Sequence, residues 1–285
     1  MKGLVLSITA GQGHNQTAMV ISKRFNECGV ECKYLDVYKF INPILSDSVN
    51  KIYLMSTKAI PKIYGGVYRM CEKRGVQSGA GIHGLNRITN SVLSRSLIKL
   101  IQKEKPDFII CTHIFAALLV TYISSIEHLN AKTIGVITDF TIHPYWEDSL
   151  LDYYIIANER LTIQGIKKGF PENKFLPLGI PIGTKFSRKI EKSKAKEILN
   201  LHSKHTILVM SGSMGFGAVY KEIEELDKLD MDFEIVSVSG NNKKLKTKID
   251  SMETRKKIYS YGYINNVDVF MDACDCICLL YTSPS

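Results

Sequence analysis

The sequence predicts an α/β protein with two doubly wound domains, each a parallel sheet covered by helices. Three observations carry this. Short apolar runs alternate with stretches of helical periodicity along all 285 residues, the order that builds parallel sheets with helical crossovers. Two glycine-rich loops, at 11–13 and 212–217, each follow an apolar run and open a helical stretch. The composition, 45% hydrophobic and 23% charged, is that of a folded globular chain and excludes disorder as an overall description. The length exceeds one small domain and points to about two.

In the first part, strands are expected at 3–9, 32–37, 108–112, 133–138, 153–157 and 174–178, with helices at 15–28, 88–104, 115–126 and 159–168. Pro106-Asp107 ends the second of these helices and feeds the strand at Phe108, because the residue before a proline is pushed out of helical geometry. A second series follows Pro181-Ile182-Gly183. The basic, weakly apolar stretch 185–196 reads as a linker and the start of a surface helix. Strands follow at 206–210, 233–238, 257–261 and 276–280, with helices between them that include 266–273. The domains are therefore placed at 1–184 and 201–277, with a linker at 185–200.

A formal net charge of +9 favours anionic partners: nucleic acid, an anionic membrane face or phosphorylated ligands. No apolar run reaches the ~18 residues of a membrane-spanning helix. The start, MKGLVLSITAGQGHN, lacks a small-residue cleavage site and reads as a first strand rather than a secretion signal. Seven cysteines without framework spacing indicate reduced thiols, as in a cytosolic protein. Cys274, Cys276 and Cys278 alternate like a strand face and fit no common zinc spacing, so no metal is expected.

Four segments can carry chemistry. The first is Thr9-Ala10-Gly11-Gln12-Gly13-His14-Asn15. Its glycines let backbone N–H groups approach a ligand, and a helix N-terminus favours anions. The same dipole disfavours an added proton on His14, so its imidazole is expected to be neutral and able to accept one near pH 7. The alternative is a histidine that only caps the loop. A dinucleotide fingerprint would need glycine at position 16, where Gln16 stands, although Asp36 sits where a ribose-binding acid would. The second segment, Ser211-Gly212-Ser213-Met214-Gly215-Phe216-Gly217, repeats the pattern in the second series. Ligands of open α/β sheets bind outside the carboxyl ends of the strands, where both loops fall, and two facing domains would make a cleft.

The third segment, 49–74, holds six Lys/Arg and one acid, a net +5, interleaved with aromatic and aliphatic residues. That mixture suits a membrane interface with anionic lipids. It could also stack on single-stranded nucleic acid, or form ordinary helices with solvated lysines. The fourth, Thr138-Asp139-Phe140-Thr141-Ile142-His143-Pro144-Tyr145-Trp146, ends a strand and contains the only tryptophan. A carboxylate, a histidine and large rings at one strand terminus suit substrate recognition, with a structural loop as the alternative. Thr112-His113 ends another strand in the same way.

Taken in order, these words resemble the bacterial and plant diacylglycerol glycosyltransferases, meaning monogalactosyldiacylglycerol synthases and processive diacylglycerol glucosyltransferases. The matching residues are Gly11-x-Gly13-His14-x-x-x-Ala18, Thr138-Asp139 with His143-Pro144-x-Trp146, and Gly179-Ile180-Pro181-Ile182. Further on they are Gly212-Ser213-Met214-Gly215-x-Gly217, Ser239-Gly240-Asn241-Asn242-x-x-Leu245, and Gly262-Tyr263-x-x-Asn266-Val267 with Met271-Asp272-Ala273. The resemblance implies a GT-B fold of two Rossmann-like domains. It also implies glycolipid synthesis by inverting transfer of a hexose from a UDP-sugar to diacylglycerol. The enzyme would be cytoplasmic and peripheral on the inner face of the cell membrane. No cofactor beyond the donor, no bound metal and no nucleic-acid partner are expected from it. The fold also resembles the cell-wall N-acetylglucosaminyltransferase with a lipid-diphosphate acceptor. A UDP-GlcNAc-using transferase or a nucleotide-sugar epimerase is thus the alternative enzyme, and a basic lipid- or nucleic-acid-binding module the alternative without catalysis.

By position, the resemblance makes His14 the base for the acceptor hydroxyl, with Asp139 and His113 as substitutes. The 1–184 domain would bind acceptor and membrane, with Gly11, Gly13, His143 and Trp146 toward the acceptor and Lys58, Lys62, Tyr64, Tyr68 and Arg69 on the membrane. In the second domain, Ser211, Gly212, Ser213, Met214 and Gly215 would offer backbone N–H groups to the diphosphate. Gly240, Asn241 and Tyr263 would wall the uracil pocket. Two departures stand out. Ser211 replaces a glycine, and after Asp275 the family continues into a Thr-Lys-Pro-Gly-Gly turn and a helix with a ribose-binding acid. Here Cys278-Leu279-Leu280-Tyr281-Thr282-Ser283-Pro284-Ser285 stands instead and resembles translated adaptor sequence. The stretch 278–285 is therefore expected to be non-native, the second domain truncated with an unpaired sheet edge, and the chain as given inactive.

If 49–74 docks on a membrane, binding to vesicles should require anionic lipid and weaken with salt, since each basic residue near the surface contributes ~1 kcal/mol. Reversing Lys58, Lys62, Arg69 and Lys73 to Glu should abolish flotation with such vesicles while the far-ultraviolet circular dichroism persists. Undiminished flotation of the reversed protein would rule the docking segment out.

Overall fold

The computed structural model describes residues 1–9, 13–41, 94–202, 205–210 and 218–279. The chain divides into two compact units, Met1–Ile182 and Gly183–Pro284.

The first unit begins with β1 (Lys2–Ser7), α1 (Gly13–Glu27), β2 (Glu31–Asp36) and α2 (Val37–Ile41). After α3 (94–104) come β3 (Phe108–Cys111), α4 (Ile114–Ile126), β4 (Lys132–Val136), β5 (Tyr153–Ile155), α5 (Arg160–Lys167) and β6 (Phe175–Leu176). The six strands lie parallel in the order β2-β1-β3-β4-β5-β6. Side chains of a strand alternate between faces, and here both faces are covered, so β1 reads as a nearly continuous apolar run. Leu4 and Leu6 join one core with Ile109, Leu119, Trp146 and Tyr154. Val5 joins the opposite core with Ala18, Ile21, Ile110 and Val136.

Local chemistry sets the joints. Asn26 on α1 donates to the Cys32 carbonyl at 2.7 Å and accepts the Cys32 amide at 3.1 Å, tying the helix to β2. The second strand was expected to run through Val37. It stops at Asp36, whose Oδ1 accepts the Lys39 amide at 3.1 Å and so starts α2 as a helix cap would.

The second unit carries α6 (Lys192–Ile198), β7 (Thr206–Met210), α7 (Val219–Asp227), β8 (Glu234–Val238), α8 (Lys243–Asp250), β9 (Ile258–Tyr261), α9 (Val267–Ala273) and β10 (Cys276–Leu279). Its four parallel strands run β10-β7-β8-β9, again between two apolar layers. The stretch 185–200, expected as a linker, is built into this unit through α6. Ala195 is fully buried and Leu199 nearly so, one helical turn apart. Lys192 and Lys196 approach Asp275 at 2.6 and 3.6 Å, and the Ile190 amide donates to Asp272 at 2.8 Å. Two apolar positions among lysines were too weak a signal to show this. Of the 278–285 tail, Cys278 and Leu279 pair with Val209 and Met210 as the end of the edge strand β10. Residues 280–285 lie outside the described residues.

One expected site residue belongs to the core. Trp146 was placed toward the acceptor, but it is only 3% exposed and meets Tyr154 edge-on with ring centroids 6.1 Å apart. It fills the space above Gly135, where an added Cβ would come within 2.9 Å of the indole. An aromatic of this size buries more area than any other side chain nearby, and packing takes it. Trp146→Ala should therefore destabilise the first unit by about 3–5 kcal/mol, read from denaturant melts. A loss below about 1 kcal/mol would show that the indole does not anchor the core.

A candidate active site at the carboxyl ends of β1, β3 and β4

The chain leaves β1 for β2 on one side and returns to β3 on the other. The carboxyl ends of β1 and β3 therefore flank a topological switch point, the place where doubly wound sheets bind ligands. The sequence puts Gly13-His14 on the first turn of α1 after β1, Thr112-His113 directly after β3, and 138–143 after β4. Three segments far apart in the chain thus meet at one sheet edge.

His14 is held there by two hydrogen bonds at one nitrogen. Its Nδ1 lies 2.9 Å from the Thr112 carbonyl oxygen and 2.8 Å from Thr138 Oγ1. A carbonyl only accepts, so Nδ1 carries the ring proton and donates it, and Thr138 Oγ1 accepts as well. The neutral ring then has its lone pair on Nε2. The side chain of Thr112 closes the arrangement by donating to the His14 carbonyl at 3.0 Å. His14 is half-buried, which leaves it accessible to a substrate. Behind it, Asn15 Nδ2 donates to Thr9 Oγ1 at 2.6 Å, and the Thr9 amide and hydroxyl both donate to Asp36 Oδ2. With Oδ1 on the Lys39 amide, both oxygens of Asp36 are engaged.

His113 takes the opposite tautomer. Its Nδ1 accepts the Phe115 amide at 3.2 Å as the N-cap of α4, so its proton sits on Nε2. It is 6% exposed and meets His14 edge-on at 4.7 Å between centroids. Burial holds its pKa well below the usual 6.5, and the neighbouring His14 and His143 push the same way. A buried, neutral donor does not fit the substitute base expected at this position. His143 repeats the device. Its Nδ1 accepts the Tyr145 amide at 3.2 Å, capping the 3₁₀ turn Pro144–Asp148. Burial lowers its pKa too, against the opposing charge of Asp139.

The rings His14, His113, Phe115, Tyr145 and His143 follow one another at centroid distances of 4.7, 5.4, 6.2 and 4.9 Å. The loop bearing His143 and Tyr145 is pinned to α5. Gln164 accepts the Ile142 amide and donates to Thr141 Oγ1, both at 2.9 Å. Lys168 pairs with Glu147 at 2.7 Å. Asp139 is half-buried in the same loop, where its charge acts on His143.

In the second unit, Gly240 follows β8 with φ at +56°, a left-handed turn that favours glycine. The turn is completed by Asn242, whose Oδ1 accepts the Leu245 amide at 3.0 Å and caps α8. Asn241 is exposed beside it, and Tyr263 is 55% exposed after β9. The expected site residues Gly11, Ser211, Gly212, Ser213, Met214 and Gly215, and Lys58, Lys62, Tyr64, Tyr68 and Arg69, lie outside the described residues. Among the described residues, no group of three His, Cys, Asp or Glu is placed to hold a metal ion. No described helix is long and apolar enough to cross a membrane.

Sequence reasoning missed the partners of His14. Thr112 and Thr138 were noted only as neighbours of His113 and Asp139. The available signal was that each is a threonine close behind the end of a strand, where the strands β3 and β4 are neighbours.

Histidines kept neutral by burial make the fold sensitive to acid. Their folded pKa lies below the unfolded one, so the stability they allow is present above about pH 6.5 and lost as pH falls below it. His113→Asn retains a side-chain oxygen for the helix cap. It should flatten the decline of melting temperature between about pH 6.5 and 5. An unaltered slope would show that His113 is not one of the groups responsible.

Comparison with known proteins agrees with this architecture. The monogalactosyldiacylglycerol (MGDG) synthase family matches residues 14–182. The processive diacylglycerol beta-glucosyltransferase of Bacillus pumilus (strain SAFR-032) is 27% identical over 288 residues, covering 97% of this chain and 71% of that protein. The protein of the same name from Bacillus mycoides (strain KBAB4) is 26% identical over 285 residues, covering 97% and 70%. Among solved structures, Anabaena Alr3699/HepE in complex with UDP superposes with a TM-score of 0.57 at 12% identity, covering 97% of this chain and 73% of that one. Acinetobacter baumannii MurG superposes with a TM-score of 0.55 at 13% identity, covering 98% and 71%. With two doubly wound units and a match across most of the first, the chain belongs to the monogalactosyldiacylglycerol synthase family, lipid-acting glycosyltransferases of the GT-B fold.

Proposed function

We propose that this glycosyltransferase moves a hexose from a UDP-sugar to the hydroxyl of a diacylglycerol, with inversion, and that His14 takes the hydroxyl proton. The observation that carries this is the pair of oxygens on His14 Nδ1, at 2.9 and 2.8 Å, which leaves Nε2 as the proton acceptor at the switch point. As the hydroxyl oxygen attacks the anomeric carbon, its proton passes to Nε2. The bond from that carbon to the diphosphate oxygen breaks, and the electron pair leaves on UDP.

In this reading the departing diphosphate is held by backbone N–H groups of Ser211, Gly212, Ser213, Met214 and Gly215, which lie in the sequence between β7 and α7. Gly240, Asn241 and Tyr263 contact the uracil. Two further findings support the substrates. The Bacillus relatives are named for diacylglycerol glucosyl transfer, and the Anabaena neighbour is described with UDP and with UDP-glucose. The net charge of +9 supports a peripheral position on anionic lipids of the cytoplasmic membrane face. The reading needs no cofactor besides the donor.

The test is one variant in a form of the enzyme that carries the whole donor-binding unit. His14→Ala should lower kcat by ~10²–10⁴-fold, the usual worth of a general base, while UDP affinity and melting temperature hardly change. Near-normal kcat would remove His14 from the mechanism and pass the role to Asp139.

A further inference from the structure

We propose that Thr138 is a positioning residue for His14: the Thr112 carbonyl sets the tautomer that presents Nε2, and the Thr138 hydroxyl holds the ring in the orientation that aims it. This rests on the reading of His14 as the proton acceptor and adds the part of the site that makes it one. A histidine on the first turn of a helix can swivel about two side-chain torsions, and a single acceptor would leave the ring free to turn about that contact. Here the two oxygens come from different strands. The Thr112 carbonyl follows β3, whose end is fixed by the Thr112 amide donating to Leu6 at 3.0 Å. Thr138 follows β4, where the Ile137 amide donates to Ile155 at 2.9 Å. At 2.9 and 2.8 Å from one nitrogen, the carbonyl fixes the proton on Nδ1 and the two oxygens together fix the plane of the ring.

The contrast with His113 and His143 shows that this is set by partners and not by residue type. Both of those rings meet a backbone N–H at Nδ1, at 3.2 Å, and so carry the proton on Nε2. Without acceptors at Nδ1, His14 would be free to adopt the same tautomer and lose its outward lone pair. The two oxygens also act during the reaction. When Nε2 takes a proton, the Nδ1–H becomes a charged donor, and hydrogen bonds from charged donors are stronger than neutral ones. The hydroxyl is therefore worth more in the transition state than in the ground state, which places its effect in kcat rather than KM. The carbonyl cannot be changed by mutation, whereas the hydroxyl can, which makes Thr138 the testable half.

The direct readout is the protonation of each ring nitrogen. The chain of residues 1–285 is labelled with ¹⁵N-histidine, and long-range ¹⁵N–¹H correlation spectra are recorded near neutral pH. The His14 signals are identified by their loss in His14→Gln. The unaltered protein should show the proton on Nδ1 of His14. Thr138→Val, matched in shape and lacking only the oxygen, should keep the proton on Nδ1 through the Thr112 carbonyl but broaden and shift the His14 ring signals as the ring turns about that one remaining contact, and Thr138→Ser should restore them. If Thr138→Val melts below the recording temperature, Thr138→Ala is used with the same criterion. In enzyme carrying the whole donor unit, Thr138→Val should lower kcat by about 10–100-fold, the usual worth of a partner that orients an imidazole, with KM within about twofold. His14 ring signals unchanged in position and width by loss of the Thr138 oxygen, or a kcat within about twofold of the unaltered enzyme, would overturn the proposal. The spectrum does not depend on turnover, so a failure of the base assignment in His14→Ala stays separate from a failure of the positioning role.

Discussion

The parallel pairing of β1 with β3, with Leu6 opposite Cys111, is the constraint on which the first unit depends. It divides Leu4 and Leu6 from Val5, and so supplies both apolar layers at once. It also sets the Thr112 carbonyl beside the first turn of α1. A slip of one residue would exchange the faces of every side chain on the strand. It would also move that carbonyl by about 3.3 Å, out of hydrogen-bond reach of His14. Core packing and site geometry therefore rest on the same register, and the hydrophobic effect that favours one enforces the other.

Within that frame, three imidazoles are given different chemistry by what their Nδ1 atoms meet. Two meet backbone amides at the start of helical turns and become N–H donors. One meets oxygens and becomes an acceptor. One residue type thus acquires opposite hydrogen-bonding character by placement alone. Burial matters as well, because it keeps His113 neutral where its ring meets that of His14.

The second unit uses the same architecture for a different end. Among the described residues, β8 and β9 lead from their carboxyl ends into the segments that start α8 and α9, with Gly240 permitting the turn after β8 and Asn242 capping α8. The segment that precedes its first strand is joined by Lys192 and Lys196 to Asp275, at the entry to β10. The edge strand β10 and the helix before β7 are thus tied by charge as well as by the burial of Ala195.

Much of this was legible from local patterns. Period-two and period-3.6 apolar spacing, glycines after strands and Pro106 between helix and strand determined the ten strands among the described residues, the parallel class and the place of His14 directly behind the Gly-x-Gly sequence. These signals act over a few residues, so the sequence by itself carries them. The roles within the site are set by contacts between residues 98 and 124 apart in the chain, from His14 to Thr112 and to Thr138. No local pattern encodes which nitrogen such a contact will protonate. The same holds for Trp146, whose motif looked like substrate recognition until the gap above Gly135 claimed its ring. It holds for the lysine-rich stretch 185–200, where only the packed unit shows that Ala195 and Leu199 face inward. Sequence determined which elements form and where the reactive residues stand; tertiary structure decided what each one touches, because proton position and burial are properties of neighbours brought together by folding.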